Sequence, residues 1–188
     1  PCDGVGRVEP ASVAAAWQPA TRWVVLSHVS NVTGVLQDVP TIAALVHDRG
    51  GLVILDAAQS LGLVPFTVPG FGADVVAAPA HKWLLGTSGA ALLWCRDGVE
   101  PLPLVQGGTG SASDSLDMPE AFADRLEAGT SDVPALAALA AAVSWLEERS
   151  VAAVGAACHR LAADAASRLG GLRGVVVQAV PDGAPIVS

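Results

Sequence analysis

An α/β fold, in which a mostly parallel sheet is flanked by helices, follows from three features of this sequence. Four short apolar runs occupy residues 23–26, 52–55, 74–78 and 90–94. Each has strand length and none alternates polar with apolar, the pattern of strands covered on both faces. Between the first two runs lies a segment of helical period, and strand, helix, strand is the parallel crossover unit. The composition agrees: of 188 residues, 52% are hydrophobic and only 15% charged, richer in apolar groups than an average soluble domain. Helices are therefore expected on both sides of the sheet.

Taken in order, the first strand is WVVL at 23–26. The helix that follows spans 39–50: Pro40 suits a first turn, Ile42, Leu45 and Val46 form an apolar stripe, and Gly50 with Gly51 stops it. The runs at 52–55, 74–78 and 90–94 supply the second, third and fourth strands. After Arg96 the chain enters a Gly/Ser-rich stretch at 106–115, which has turn chemistry and no periodicity and is predicted to be a loop. Asp132 can cap and Pro134 can sit in the first turn of a long alanine-rich helix ending at Arg149. A second helix is predicted over 151–169, closed by Gly170 and Gly171. Residues 175–177 and 186–187 read as strands of a different pattern. A domain change is placed near residue 150, so that 1–150 forms part of a large domain and 151–188 opens a smaller α+β one. The chain begins at Pro1 without a methionine and stops as an apolar run starts, which reads as part of something longer.

Composition also narrows the partners. A net charge of −8 with no basic cluster argues against binding a nucleic-acid backbone and favours small molecules. The alanine-rich stretch 135–146 is too short to span a membrane and is closed by Glu147, Glu148 and Arg149. No basic-then-apolar leader opens the chain. Cys2, Cys95 and Cys158 are too few and too scattered for a disulfide framework or a zinc site. A soluble, unexported protein of a reducing cytoplasm is expected.

Polar residues fall where the apolar runs end. The first run is followed by Ser27, His28, Ser30 and Asn31, the second by Asp56 and Gln59, the third by His81 and Lys82. In open parallel sheets ligands bind beyond the carboxyl ends of the strands, so these clusters would converge on one crevice. Each has an ordinary alternative. Asp56 could cap the next helix, His28 and His81 could be partly buried histidines with satisfied nitrogens, and Asn31 and Gln59 could be turn residues. Lys82 is the only lysine beside nine arginines, which a compositional bias against lysine would also produce. An arginine cannot lose its proton, whereas a desolvated lysine can and then attacks a carbonyl carbon. A lysine in a dry crevice can form a Schiff base with an aldehyde cofactor, and pyridoxal phosphate is the usual one. Its ring nitrogen must stay protonated, which needs an adjacent buried carboxylate. Asp56 meets that need, Gln59 could donate a hydrogen bond to the ring hydroxyl oxygen, Asn31 could do likewise, and His81 could orient or relay protons. No strand is followed by G-x-G-x-x-G, which speaks against a dinucleotide-binding module.

At four blocks the sequence resembles the class V aminotransferase family of pyridoxal phosphate enzymes, and within it the cysteine desulfurases and selenocysteine lyases. The blocks are HVSNVTG at 28–34, LDAAQ at 55–59, AHKWLLG at 80–86 and RLEAGT at 125–130. GGTGS at 107–111 is similar to a block of a desulfurase-like subgroup. The resemblance implies fold type I of the pyridoxal phosphate transferases. It implies Lys82 as the lysine bonded to the cofactor, Asp56 as the partner of the ring nitrogen, Gln59 on the ring hydroxyl and Asn31 on the substrate or cofactor side. Thr130 would reach the phosphate bound by the other subunit of a homodimer, and Arg125 would be structural. The implied activity takes L-cysteine to alanine and hands sulfur to an acceptor, possible acceptor proteins included; transamination, epimerisation and selenocysteine cleavage are the alternatives. Where many relatives carry a phosphate-binding serine, three residues before the lysine, this chain has Pro79, which has no N–H to donate. None of the three cysteines matches the family's sulfur-accepting position, so the chain alone is expected to be inactive.

Overall fold

The computed structural model describes residues 2–110 and 114–188; Pro1 and Ser111, the last residue of the GGTGS block, lie outside them. Four strands form one sheet in sequence order: β1 Trp23–Ser27, β2 Leu52–Asp56, β3 Val75–Pro79 and β4 Ala91–Cys95. The first three run parallel, and β4 returns antiparallel to β3. Pairing places Ser27, Asp56, Ala77 and Leu93 in one row across the sheet. Paired residues share a face, so this row lies on one side and its neighbours on the other.

The helix between β1 and β2, α2 Val39–His47, starts where its sequence says it should. Asp38 accepts the backbone N–H of Thr41 at 3.2 Å and Pro40 occupies the first turn. Ile42, Ala43 and Val46 are buried and pack on Val53 and Leu55 of β2 and on Leu26, Val76 and Ala78. Val13 and Trp17, from α1 Pro10–Ala16 and the residue after it, join this layer, as do Val68 and Phe71 of the short α3 Val68–Phe71. Neither α1 nor α3 has the length or apolar stripe to be read from the sequence.

The opposite face departs from expectation. Trp23, Val25 and Leu93 are exposed there, Val25 at 70%. Among the described residues no helix covers β1 and β2 on that side. A run apolar on both faces records that both were selected for burial; it does not say which segment does the burying.

One buried carboxylate ties the amino end of β3 to its neighbours. Asp74, fully buried, accepts the N–H of Val53 at 2.7 Å, and His47 Nε2 lies 2.9 Å from the same oxygen. Arg96 Nη2 stands 2.9 Å from the other oxygen, an ion pair without an aligned hydrogen bond, and the Arg96 N–H donates to the Asp74 carbonyl.

Beyond the carboxyl ends of the strands lie α5 Val133–Arg149 and α6 Val151–Gly170. Asp132 caps the first by accepting the Ala135 N–H, and Ser150, at φ +62°, turns the chain and caps the second by accepting the Ala153 N–H. Leu139 and Leu146 pack with Ala80 and Leu84 on the loop after β3. A Cβ at Gly155 would stand 2.6 Å from the Leu63 carbonyl, so α6 touches the turn after β2 backbone to backbone. The short α4 Phe122–Leu126 lies over the β3–β4 side of the open face across a cleft.

The strands expected at 175–177 and 186–187 do not form. Val176 is 80% exposed, and Gln178 and Ser188 exchange two backbone hydrogen bonds in irregular chain. Residues 183–186 instead close on the turn at Gly34, whose carbonyl accepts the Ala184 N–H at 2.7 Å. A strand needs an edge to pair with, and no described strand offers one at this place. No helix among the described residues is long and apolar enough to cross a membrane, and no three of their His, Cys, Asp and Glu side chains group as metal ligands.

Candidate active site

Asp56 is the last residue of β2 and opens the turn that follows. Its Oδ1 accepts the Ala58 N–H at 2.9 Å, and Ser27 Oγ donates to Oδ2 at 3.4 Å from the neighbouring strand end. The side chain is exposed at the border of the uncovered face. It lines a cleft of about 520 Å3 with Ala77, Pro79, Leu93, Phe122 and Leu126. This cleft is apolar except at Asp56 and Glu127.

Gln59 lies three residues on, half-buried, where its Oε1 accepts the indole N–H of Trp83 at 3.0 Å. Trp83 belongs to the loop that leaves β3 and carries His81 and Lys82. That loop is closed by two backbone hydrogen bonds, Gly86 to Ala80 and Leu85 to Lys82, each 2.9 Å. Leu84 anchors it in the core at 6% exposure, and Leu85 takes a left-handed φ of +59°. A Cβ at Gly62 would overlap the Trp83 carbonyl. The loop bearing Lys82 and the turn bearing Asp56 and Gln59 are thus in direct backbone contact.

The structure brings Asp56, Gln59 and the His81–Lys82 pair to one sheet edge, since Asp56 pairs with Ala77 five residues before Lys82. It does not place the amine in a dry crevice. Lys82 and His81 are exposed, and among the described residues neither side chain makes a hydrogen bond or ion pair. Nor is the Asp56 carboxylate buried. For Asp56 the expectation of burial fails because the sheet face beside it is uncovered among the described residues.

Asn31 is exposed on the turn after β1, where Ser30 Oγ accepts the N–H groups of Val32 and Thr33. Thr130 is exposed beside Gly89 and Asp132 in a recess of about 280 Å3 that shares Ala91 and Glu127 with the cleft at Asp56. Arg125 faces Glu100 at 3.9 Å. Of the two imidazoles expected at this edge, His28 turns away. It is 2% exposed and stands edge-on to Phe66 and Phe71, with centroids at 5.3 and 4.8 Å. Its Nδ1 is buried without a partner, and desolvation pushes its pKa down to about 4. The two phenylalanines are remote in sequence, so the strand-end pattern could not separate a site histidine from a core one.

Two contributors escaped the sequence: Trp83, whose partner is 24 residues away, and Gly62, whose positive φ and close contact leave no local signal. The position of Trp83 directly after the lysine is the one hint the sequence held.

The description Aminotransferase class-V belongs to a family model that matches residues 1–186. A probable cysteine desulfurase of Methanothermobacter thermautotrophicus is 36% identical over 148 residues, 77% of this chain and 37% of that protein. The apo structure of a cysteine desulfurase from Thermococcus onnurineus superposes with a TM-score of 0.77 at 25% identity, over 97% of this chain and 47% of that one. A structure titled SspA in complex with cysteine is similar with a TM-score of 0.62 at 27% identity, over 74% of this chain and 37% of that one. The chain spans less than half the length of each.

Proposed function

Because the chain belongs to the class V aminotransferase family, we propose that it supplies the lysine-bearing part of a pyridoxal phosphate enzyme that removes sulfur from L-cysteine. The observation that carries this is the edge itself: Asp56 ends one parallel strand, and the chain's single lysine lies on the loop leaving the next. Relatives named cysteine desulfurase, and a related structure holding cysteine, support the substrate.

The residues present fit the cofactor. Lys82 Nζ has no protein partner among the described residues, Gln59 has its NH2 left to donate, Asp56 retains acceptor capacity, and an apolar cleft opens beside it. When bound, pyridoxal phosphate supplies an electron-withdrawing ring conjugated to the substrate α-carbon. Lys82 would hold the cofactor at its aldehyde carbon, and its Nζ would be the base that takes and returns the substrate α-proton. Asp56 would keep a proton on the ring nitrogen. Gln59 and Asn31 would hydrogen-bond the ring hydroxyl or the substrate, with His81 orienting or relaying protons. Thr130 would serve the phosphate bound by a second copy in a homodimer, with residues 151–188 opening the smaller domain.

Overall, L-cysteine and an acceptor thiol become alanine and a persulfide: the C–S bond breaks, carbon gains a proton, and sulfur bonds to the acceptor sulfur. Among the described residues no cysteine lines the cleft at Asp56. Cys2 pairs with Val8, Cys95 pairs with Val75 two rungs away, and Cys158 packs on the Val29 and Leu63 cluster. A cytoplasmic setting and a separate acceptor protein complete the proposal. Incubation with pyridoxal phosphate, borohydride reduction and peptide mass mapping should place the reduced adduct on Lys82, and Lys82→Ala should carry none. An adduct retained by Lys82→Ala would reject it.

A further inference from the structure

Resting on the assignment of Asp56, Gln59 and Lys82 to the cofactor, we infer that Trp83 is a positioning residue. Its indole N–H fixes the Gln59 side chain so that the NH2, and not the carbonyl oxygen, faces the ring hydroxyl.

An indole nitrogen only donates. The 3.0 Å contact between Trp83 Nε1 and Gln59 Oε1 therefore selects one of the two amide orientations. With the oxygen engaged, the group left for a ligand is a double donor, which suits a phenolate oxygen and repels a donor. Without the indole N–H, rotating the amide by half a turn would present its oxygen to the phenolate, and two acceptors would face each other.

Trp83 is itself packed: Leu63 of the turn after β2 lies in the same apolar cluster, and the backbone of Gly62 closely approaches the Trp83 carbonyl. Gly62 has φ +92° and no room for a Cβ, so any side chain at 62 would push the turn and the loop apart. Trp83 thus couples the turn carrying Asp56 and Gln59 to the loop carrying Lys82, with the hydrogen bond fixing the polarity of that coupling.

The consequence is spectroscopic. A donor on the ring hydroxyl oxygen withdraws charge from it and so lowers the pH at which the cofactor–Lys82 linkage loses its proton. Replacing Trp83 by 3-benzothienylalanine puts sulfur where the N–H was and keeps the ring shape; Trp83→Phe is the genetic counterpart. In both, the pH midpoint of the visible band should rise by about one unit, the size of one lost hydrogen bond to an oxyanion. Gln59→Glu keeps an acceptor for the indole and removes the NH2, so the midpoint should rise while the Trp83 indole N–H resonance stays shifted downfield. A midpoint unchanged in the benzothienyl protein would overturn the role of Trp83, while borohydride trapping on Lys82 in that same protein would leave the cofactor assignment standing. Failure of the unmodified protein to form the band at all would overturn the cofactor assignment, and this role with it.

Discussion

His28 shows how the surroundings of one residue decide its chemistry. Its ring stands edge-on to the stacked pair Phe66 and Phe71 with 2% exposure, and desolvation pushes its pKa down to about 4 from an ordinary 6.5. A depressed folded pKa means the unfolded chain binds the proton more tightly. Stability owed to neutral His28 is therefore complete above about pH 6.5 and is lost as pH falls toward 4, for a total of about 3 kcal/mol. Urea unfolding between pH 4 and 7 should show a weaker pH dependence in His28→Leu than in the parent, by about that amount; parallel curves would refute a buried neutral imidazole. At this scale the sequence located Asp56, Gln59 and the His81–Lys82 pair at one strand edge, because strand ends follow from apolar run lengths. It misplaced His28, since burial of a side chain is set by rings that are distant in the chain.

Caps and crossovers were legible element by element. Asp132 accepts the N–H three residues on, as its sequence context predicts, and Asp38 does the same for α2. The predicted strands at 175–177 and 186–187 failed because a strand, unlike a capped helix, is completed by a partner it does not encode. Asp74 extends that point to a charge. It holds β2, α2 and β4 together through the Val53 N–H, His47 and Arg96, and nothing local to residue 74 announces it. Asp74→Ala should lower stability by about 3 kcal/mol, since it strands the buried Val53 N–H and leaves Arg96 and His47 without their carboxylate partner. Arg96→Ala should cost about 1 kcal/mol, because that side chain is half-exposed and solvent screens it. Equal urea midpoints for the two variants would contradict this ranking.

Across the whole molecule, the two faces of the sheet differ in cover. Val53 is fully buried under α2, whereas Val25 is 70% exposed on the opposite side. Val53→Ala should therefore cost about 2 kcal/mol, while Val25→Ser in this chain should stay within about 0.5 kcal/mol and reduce binding of an apolar dye. A large loss from Val25→Ser would mean that the face is covered in solution. The same open face leaves Asp56 in contact with water, and covering it would deepen the crevice that the proposed chemistry needs. The sequence by itself determined the four strands of the sheet, the long helices α2, α5 and α6, the Asp132 cap, and the place of Asp56, Gln59, His81 and Lys82 at the carboxyl edge of the sheet. These depend on backbone preferences and side chains a few residues apart. Only the tertiary structure decided that His28 points inward, that Trp83 grips Gln59, and that one apolar face stands open. Each of those depends on groups brought together from distant parts of the chain, or on their absence.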